Sequence, residues 1–458
     1  MDRRTFLAAG PALALAPRLA FGSTKTLRLA PAQQSLVGAG NPATDVWAYN
    51  GAVPGPVLRY RQGERLRVEV ENALAVATTV HWHGVRVPNA MDGVPNVTQA
   101  PIKANGGRFL YEFELRDAGT YWYHPHLGSP EQVGRGLYGP LIVDEAQPLA
   151  VDRDVTWMLG DWRLDREARI VEDFGNFMDA SHAGRIGNTV TVNGAISETF
   201  ELRAGERIRL RLVNAANARI FALDFGGHEP VVIALDGHAV EPHRPANTRV
   251  VLGPSMRVDV LLDAVGEPGR SYRVVDDFYA RRAYRLLDLR YSGEGRRGRA
   301  GTPLPKLAPN PLSEPDLAKA ERHRVEFGGG MMGNMPGGMG MMGGPHRMAW
   351  TVNGKPMPDN GHAHEPIFQL GLGRSYVIEL VNDTQWHHPI HLHGHVFRVI
   401  TRGGKPTRHR EWLDTVLLDP RSRAEIAVVA DNPGDWMLHC HVLEHQASGM
   451  MALVRVAG

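Results

Sequence analysis

Ten of the 21 histidines in this 458-residue chain fall in four short motifs that also hold its one cysteine. They are His81-Trp82-His83, His124-Pro125-His126, His388-Pro389-Ile390-His391-Leu392-His393, and His439-Cys440-His441 followed by His445 and Met450. On an extended strand, residues two apart point to the same face. His81/His83, His124/His126, His391/His393 and His439/His441 therefore aim together in pairs, and these eight imidazoles suffice for a compact cluster of three metal ions. Cys440 points the opposite way, toward its own set of His388, His445 and Met450. Two imidazoles, one thiolate and an axial thioether make a blue-copper electron-transfer site. Zinc is the competitor, but structural zinc sites favour several cysteines and make little use of a thioether. Because Cys440 sits between two cluster ligands, the backbone itself links a one-electron acceptor to the multi-metal centre.

Most of the remaining eleven histidines read as surface, core or titrating side chains. His387 abuts His388, and the spacing His-Pro-x-His-x-His selects His388.

These motifs need strands to aim them, and the chain supplies strands by repetition. Asn50-Gly51, Asn193-Gly194 and Asn353-Gly354 each open a turn. A glycine then precedes an asparagine by nine residues in each copy: Gly63/Asn72, Gly205/Asn214 and Gly373/Asn382. Nine residues beyond those asparagines stand His81, Leu223 and His391, and eleven beyond stand His83, Phe225 and His393. Five residues after Gly119, Gly269 and Gly434 stand His124, Val274 and His439. The first and third copies thus carry equivalent ligand pairs and the middle copy carries none, which places the cluster between domains one and three. Strict alternation in segments such as Arg65 to Val70 and Arg207 to Val213 signals half-buried strands. With 51 glycines, 32 prolines and little helical pattern, the fold class is all-β: three consecutive Greek-key β-sandwiches. The domains are expected at 23–147, 148–300 and 346–458, joined by a Pro-rich then Met/Gly-rich linker at 301–345 with one short helix near 316–324.

A formal charge of +2 with no long basic stripe does not point to nucleic acid. The arginine-rich stretch at 281–299 reads as a solvated face. Arg3-Arg4-Thr5-Phe6-Leu7 and the apolar run behind it read as a twin-arginine signal ending near residue 22, which implies export to a periplasm. No later run is long and apolar enough to span a bilayer. The protein is expected to act as a monomer.

With all four motifs in place, the chain resembles three-domain multicopper oxidases of the bacterial laccase-like and copper-efflux type, over essentially its whole mature length. The resemblance implies that the three sandwiches are cupredoxin-like and that the protein holds four copper ions. Type 1 would take His388, Cys440, His445 and Met450, and type 2 would take His81 and His391. Of the type 3 pair, one would take His83, His124 and His441, the other His126, His393 and His439. It also implies four one-electron oxidations of a reducing substrate coupled to reduction of O₂ to two waters.

That chemistry needs protons, and Asp92 matches the family acid, although Asp92-Gly93 alone would make a turn. Asp414 is a candidate for orienting a ligand histidine. Met331, Met332, Met335, Met339, Met341 and Met342 sit in a glycine-rich stretch at 328–344 where soft thioethers could recruit Cu(I). The alternative is a plain low-complexity linker. Two departures bear on substrate. Copper-efflux relatives carry an Asp and a Met before the first type 1 histidine, where this chain has Thr384 and Trp386, and a Glu where it has Gln446. The sequence thus supports a periplasmic oxidase of Cu(I) and of phenolic or aryl donors. The alternatives are a laccase-like aryl oxidase without a cuprous role, or a non-catalytic copper-binding scaffold.

Overall fold

The computed structural model describes residues 24–293, 295, 298–331, 349–357 and 365–458. Its strands assemble into six sheets, two for each of three successive sandwiches. The first pairs a four-stranded sheet around Lys25–Gln34 and Arg65–Asn72 with a second four-stranded sheet holding His81–His83 and Gly119–His124. The second builds on Arg207–Asn214, and the third on Ser375–Asn382 and Gly434–Cys440. All three are cupredoxin-like domains.

The repeated residues have one physical explanation. Asn72, Asn214 and Asn382 end equivalent strands, and each side chain bridges a tight turn. Their amide groups donate to Val76 O, Arg219 O and Trp386 O, while their oxygens accept from Leu74 N, Ala216 N and Thr384 N. Asn50, Asn193 and Asn353 adopt φ of 53, 53 and 50°, a left-handed turn conformation that asparagine tolerates and the following glycine continues.

Two local expectations need correction. The Arg207–Asn214 strand is buried along its full length, not on one face. Two of its arginines pair across to the first domain, Arg209 with Glu145 and Arg211 with Thr120, and also with their own sheet, Arg209 with Asp259 and Arg211 with Asp154. The helix near 316–324 is also absent. A turn leads into the strand Glu321–Gly329, which pairs in parallel with Ser375–Asn382 and belongs to the third domain's sheet, inside the segment expected to be a linker. The chain before it is a bonded strap. Asn310 donates to Ala118 O and accepts from Ala118 N, and Arg207 donates to the carbonyls of Thr302 and Pro303. No helix among the described residues is long and apolar enough to cross a membrane.

Candidate metal centre

His81 lies opposite His124 across one antiparallel strand pair, and His391 lies opposite His439 across another. The same ligand register therefore recurs in the first and third domains, and the two sets meet at the interface. The near-twofold relation extends to the rings: His81 stacks on His393 at 4.0 Å and His391 stacks on His83 at 3.8 Å. All eight side chains are buried.

Each outer nitrogen that is hydrogen-bonded selects the inner one. His81 Nδ1 donates to Asp92 O at 2.8 Å, His391 Nδ1 to Asp414 O at 2.9 Å, and His393 Nδ1 to Asp92 Oδ2 at 2.8 Å. His124 and His439 use Nδ1 on the carbonyls of Pro125 and Cys440. His83 is reversed: its Nε2 donates to Asp414 Oδ1 at 3.1 Å, so Nδ1 faces inward. The inward atoms His81 Nε2, His83 Nδ1, His126 Nε2 and His391 Nε2 are buried with no partner among the described residues. His393 Nε2 and His439 Nε2 stand 3.0 Å apart, and His124 Nε2 and His441 Nε2 stand 3.4 Å apart. Unpaired buried acceptors are costly, so a set turned on one another fits metal ions held between them. Burial, followed by repulsion among neighbouring rings, holds His124, His126, His393, His439 and His441 well below the ordinary histidine range, which leaves them neutral and ready to ligate.

The opposite face of the Gly434–Cys440 strand carries the second site. Cys440 Sγ lies 3.4 Å from His388 Nδ1 and 3.7 Å from His445 Nδ1, and the two nitrogens are 3.1 Å apart. These edges match a trigonal copper site with bonds near ~2.0–2.3 Å, the range for nitrogen and thiolate ligands of such metals. The short helix Leu443–Ala447 turns the chain back, Met450 N donates to His445 O, and buried Met450 accepts from Cys440 N through its carbonyl. Burial pushes the Cys440 thiol up and His445 down to about 3, so metal binding must displace the thiol proton but none from the imidazole.

The donor set thus fits copper at both sites. The structure brings together every predicted ligand histidine and Cys440, and leaves His387 aside near Phe278 and Asp419. Asp92 bridges ligands from two domains, with Oδ2 on His393 and Oδ1 at 3.2 Å from His81 Nδ1. Asp414 does orient ligand histidines. Gln446 stands 3.5 Å from His126 Nδ1. Of the six methionines, Met331 is exposed and its N–H donates to Ser181 O; Met332, Met335, Met339, Met341 and Met342 lie outside the described residues.

Sequence reasoning missed what the second domain contributes. His445 Nε2 donates to His182 O at 2.6 Å, Trp350 packs on His445 at 4.2 Å, and Trp350 Nε1 donates to Ala180 O. It also missed Thr384 Oγ1, which accepts from His388 Nε2 at 2.8 Å.

The fold and this pair of sites define a multicopper oxidase, and the chain belongs to that family. Three multicopper oxidase family models match residues 32–148, 153–288 and 334–458. The multicopper oxidase MmcO of Mycobacterium tuberculosis is 31% identical, covering 94% of this chain and 86% of its own. The copper resistance protein A homolog of Pseudomonas syringae pv. tomato is 26% identical, covering 95% and 92%. A laccase of Cryphonectria parasitica is 26% identical, covering 93% and 80%. The solved multi-copper oxidase of Pseudomonas thermotolerans superposes with a TM-score of 0.85 at 37% identity, covering 95% of this chain and 99% of that one. The protein is an oxidoreductase that uses copper.

Proposed function

We propose that this oxidase couples one-electron oxidation of Cu(I) and of phenolic or aryl donors to four-electron reduction of O₂ to water. It would hold one type 1, one type 2 and two type 3 coppers on the ligands assigned above, act as a monomer, and serve copper tolerance in a periplasm reached by the Arg3-Arg4 signal. The observation that carries this reading is the strand end at Cys440. Its sulfur faces His388 and His445, while the adjoining His439 and His441 face the eight-histidine cluster. When bound, copper supplies one-electron redox chemistry at Cys440 and, at the cluster, enough reducing capacity to meet the demand of O₂.

The residues do the rest. The Cys440 backbone is the covalent route between sites. Thr384 and His182 O fix the outer nitrogens of His388 and His445, and Trp350 excludes water beside them. Asp92 holds His393 and His81, and its carboxylate is placed to pass a proton toward the cluster. Met331 is bonded to the Ser181 backbone, next to the carbonyl that caps His445, so the methionine segment starts above the electron-entry site.

A specific contact also favours an aryl donor. Thr384 Oγ1 is saturated: it accepts from His388 and Trp386 N and donates to Asn382, so it has nothing left for a substrate ion. Half-buried Trp386 meets the His182 ring edge-on at 5.4 Å, an aromatic rim over His445. A non-catalytic copper-binding scaffold would also use the inward nitrogens, but it gives no reason for Cys440 to stand between two cluster ligands. Oxygen uptake with Cu(I) and with a phenol should be compared for the wild type and a deletion of residues 332–344, which spares the bonded Met331. A fall in Cu(I) oxidation at low copper, with phenol oxidation unchanged or raised, is the expected result. Equal rates for both proteins on both substrates would reduce the segment to a linker, and no oxygen uptake with Cu(I) in the wild type would remove the cuprous role.

A further inference from the structure

Two buried aspartates serve the cluster in matched ways. Asp92, from the first domain, takes His81 on its carbonyl and His393, a third-domain residue, on its carboxylate. Asp414, from the third domain, takes His391 on its carbonyl and His83, a first-domain residue, on its carboxylate. Their surroundings differ. No arginine or lysine among the described residues is bonded to Asp92. Asp414 receives both terminal nitrogens of Arg257, a residue of the second domain, which has no ligand of its own.

Arg257 is itself held from every side. Its Nε donates to Thr120 O at 3.1 Å and its Nη2 to Asp236 O at 3.0 Å. The Asp236 carboxylate accepts from Arg257 N and from Thr415 N, both at 3.0 Å, so it clamps the arginine and the backbone beside Asp414 together. All three side chains are fully buried. The Arg257–Asp414 pair also presses on the backbone that follows His83. Gly84 has φ of 82°, and a Cβ there would overlap both Arg257 Nη2 and Asp414 Oδ2.

We propose that Arg257 is a positioning residue of the trinuclear centre. By gripping Asp414 in a two-pronged fork, it fixes which nitrogen of His83 faces the metal and sets the plane of His391. Arg257 thereby engages one ligand of each of two different coppers. A bidentate guanidinium–carboxylate pair fixes orientation as well as charge, and a carboxylate behind a metal-bound histidine sets its tautomer. The consequence is a division of labour. The second domain commits Asp414 to orientation and leaves the equivalent Asp92 without a cationic clamp, available for protons. This inference rests on the cluster assignment above.

The test uses the copper-loaded full chain and its Arg257→Met, Arg257→Lys and Asp414→Asn variants. Three readouts are taken: copper per chain, the blue absorbance of the Cys440 site, and the type 2 electron paramagnetic resonance signal during challenge with a chelator. Arg257→Met should keep the blue absorbance while cluster copper is lost to chelator ~10–100-fold more readily, the usual cost of removing such an outer partner. Its type 2 signal should change. Arg257→Lys keeps the charge without the fork and should fall between. Adding Arg257→Met to Asp414→Asn should cause no further loss, because the arginine acts through that carboxylate. If Arg257→Met does not fold, the lysine variant and the double substitution in the lysine background carry the same comparison. Wild-type chelator resistance and type 2 signal in the Arg257 variants, or equal loss of blue and cluster copper, would overturn the proposal. A wild-type protein that binds no cluster copper would instead overturn the cluster assignment.

Discussion

Thr384 offers the sharpest test of how the electron-entry site is tuned. Its hydroxyl accepts from His388 Nε2 at 2.8 Å and from Trp386 N at 3.1 Å, and donates to Asn382 Oδ1 at 2.8 Å. Thr384→Val preserves shape and leaves the His388 N–H buried without an acceptor. In the loaded protein that N–H is more acidic when the metal is oxidised, so the bond to Thr384 favours the oxidised state. Charge-assisted bonds are roughly twice as strong as neutral ones, which are worth ~0.5–1.5 kcal/mol net. A differential of ~0.5–1 kcal/mol converts to a rise of ~20–45 mV for a one-electron couple. Redox titration of the blue band measures this directly. Thr384→Ser keeps the hydroxyl and should titrate with the wild type. An unmoved or lowered potential in Thr384→Val, or a serine variant that shifts as far as the valine one, would refute the reasoning.

The ligand shell was legible because coordination chemistry demands particular residue types at particular spacing. His81 and His83 must be two apart to share a strand face, and Cys440 must be flanked to face away. The triplicated Asn-Gly turns and the Gly63/Asn72-type pairs were legible because each asparagine performs one local task on nearby backbone. What escaped notice lies between domains. Arg207, Arg209 and Arg211 alternate as a half-exposed strand would, yet Glu145 and Thr120 come across from the first domain to pair with Arg209 and Arg211, and all three arginines are buried. Residues near 316–324 lack a strand pattern of their own length; the parallel partner Ser375–Asn382 imposes one, and Val325 and Phe327 go into the core. The His182 contribution is a backbone carbonyl, which any residue would supply. Arg257 has no ligand spacing, because its role depends on where the second domain docks. Thr384 was noticed only as a departure from relatives, since a hydroxyl four residues from a histidine becomes meaningful only when the Asn382 turn folds it back.

Cys440→Ser should abolish the blue band and oxidase turnover while leaving the circular dichroism of the copper-free protein unchanged; retained turnover would show that electrons enter elsewhere. Asp92→Asn keeps one oxygen for His393 and should retain its coppers, yet reoxidise in O₂ ~10²–10⁴-fold more slowly, the range for a lost proton donor. Loss of less than threefold, on the scale of that same range, would mean that the group only orients. The copper-free protein should lose stability on acidification in a defined window. His124, His126, His388, His393, His439 and His441 are held well below the ordinary value of 6.5 by burial first and neighbouring imidazoles second. In the unfolded chain they protonate as the pH drops through 6.5, whereas the fold keeps them neutral. The unfolded state then binds more protons, so stability rises with pH below that point and is flat above it. Each histidine so restrained contributes ~1.4 kcal/mol per pH unit once the unfolded chain is fully protonated. Urea midpoints of the copper-free protein should therefore hold steady from about pH 8 to 7 and fall steeply from about pH 6 to 5. Asp414 cannot produce that early loss, because burial is outweighed by Arg257 and by the hydrogen bonds of His391 and His83, and its depressed carboxyl matters only below the ordinary carboxylate range. Midpoints that stay level down to about pH 5 would mean that the empty cluster admits protons freely, and the closed, preformed histidine shell would have to be abandoned.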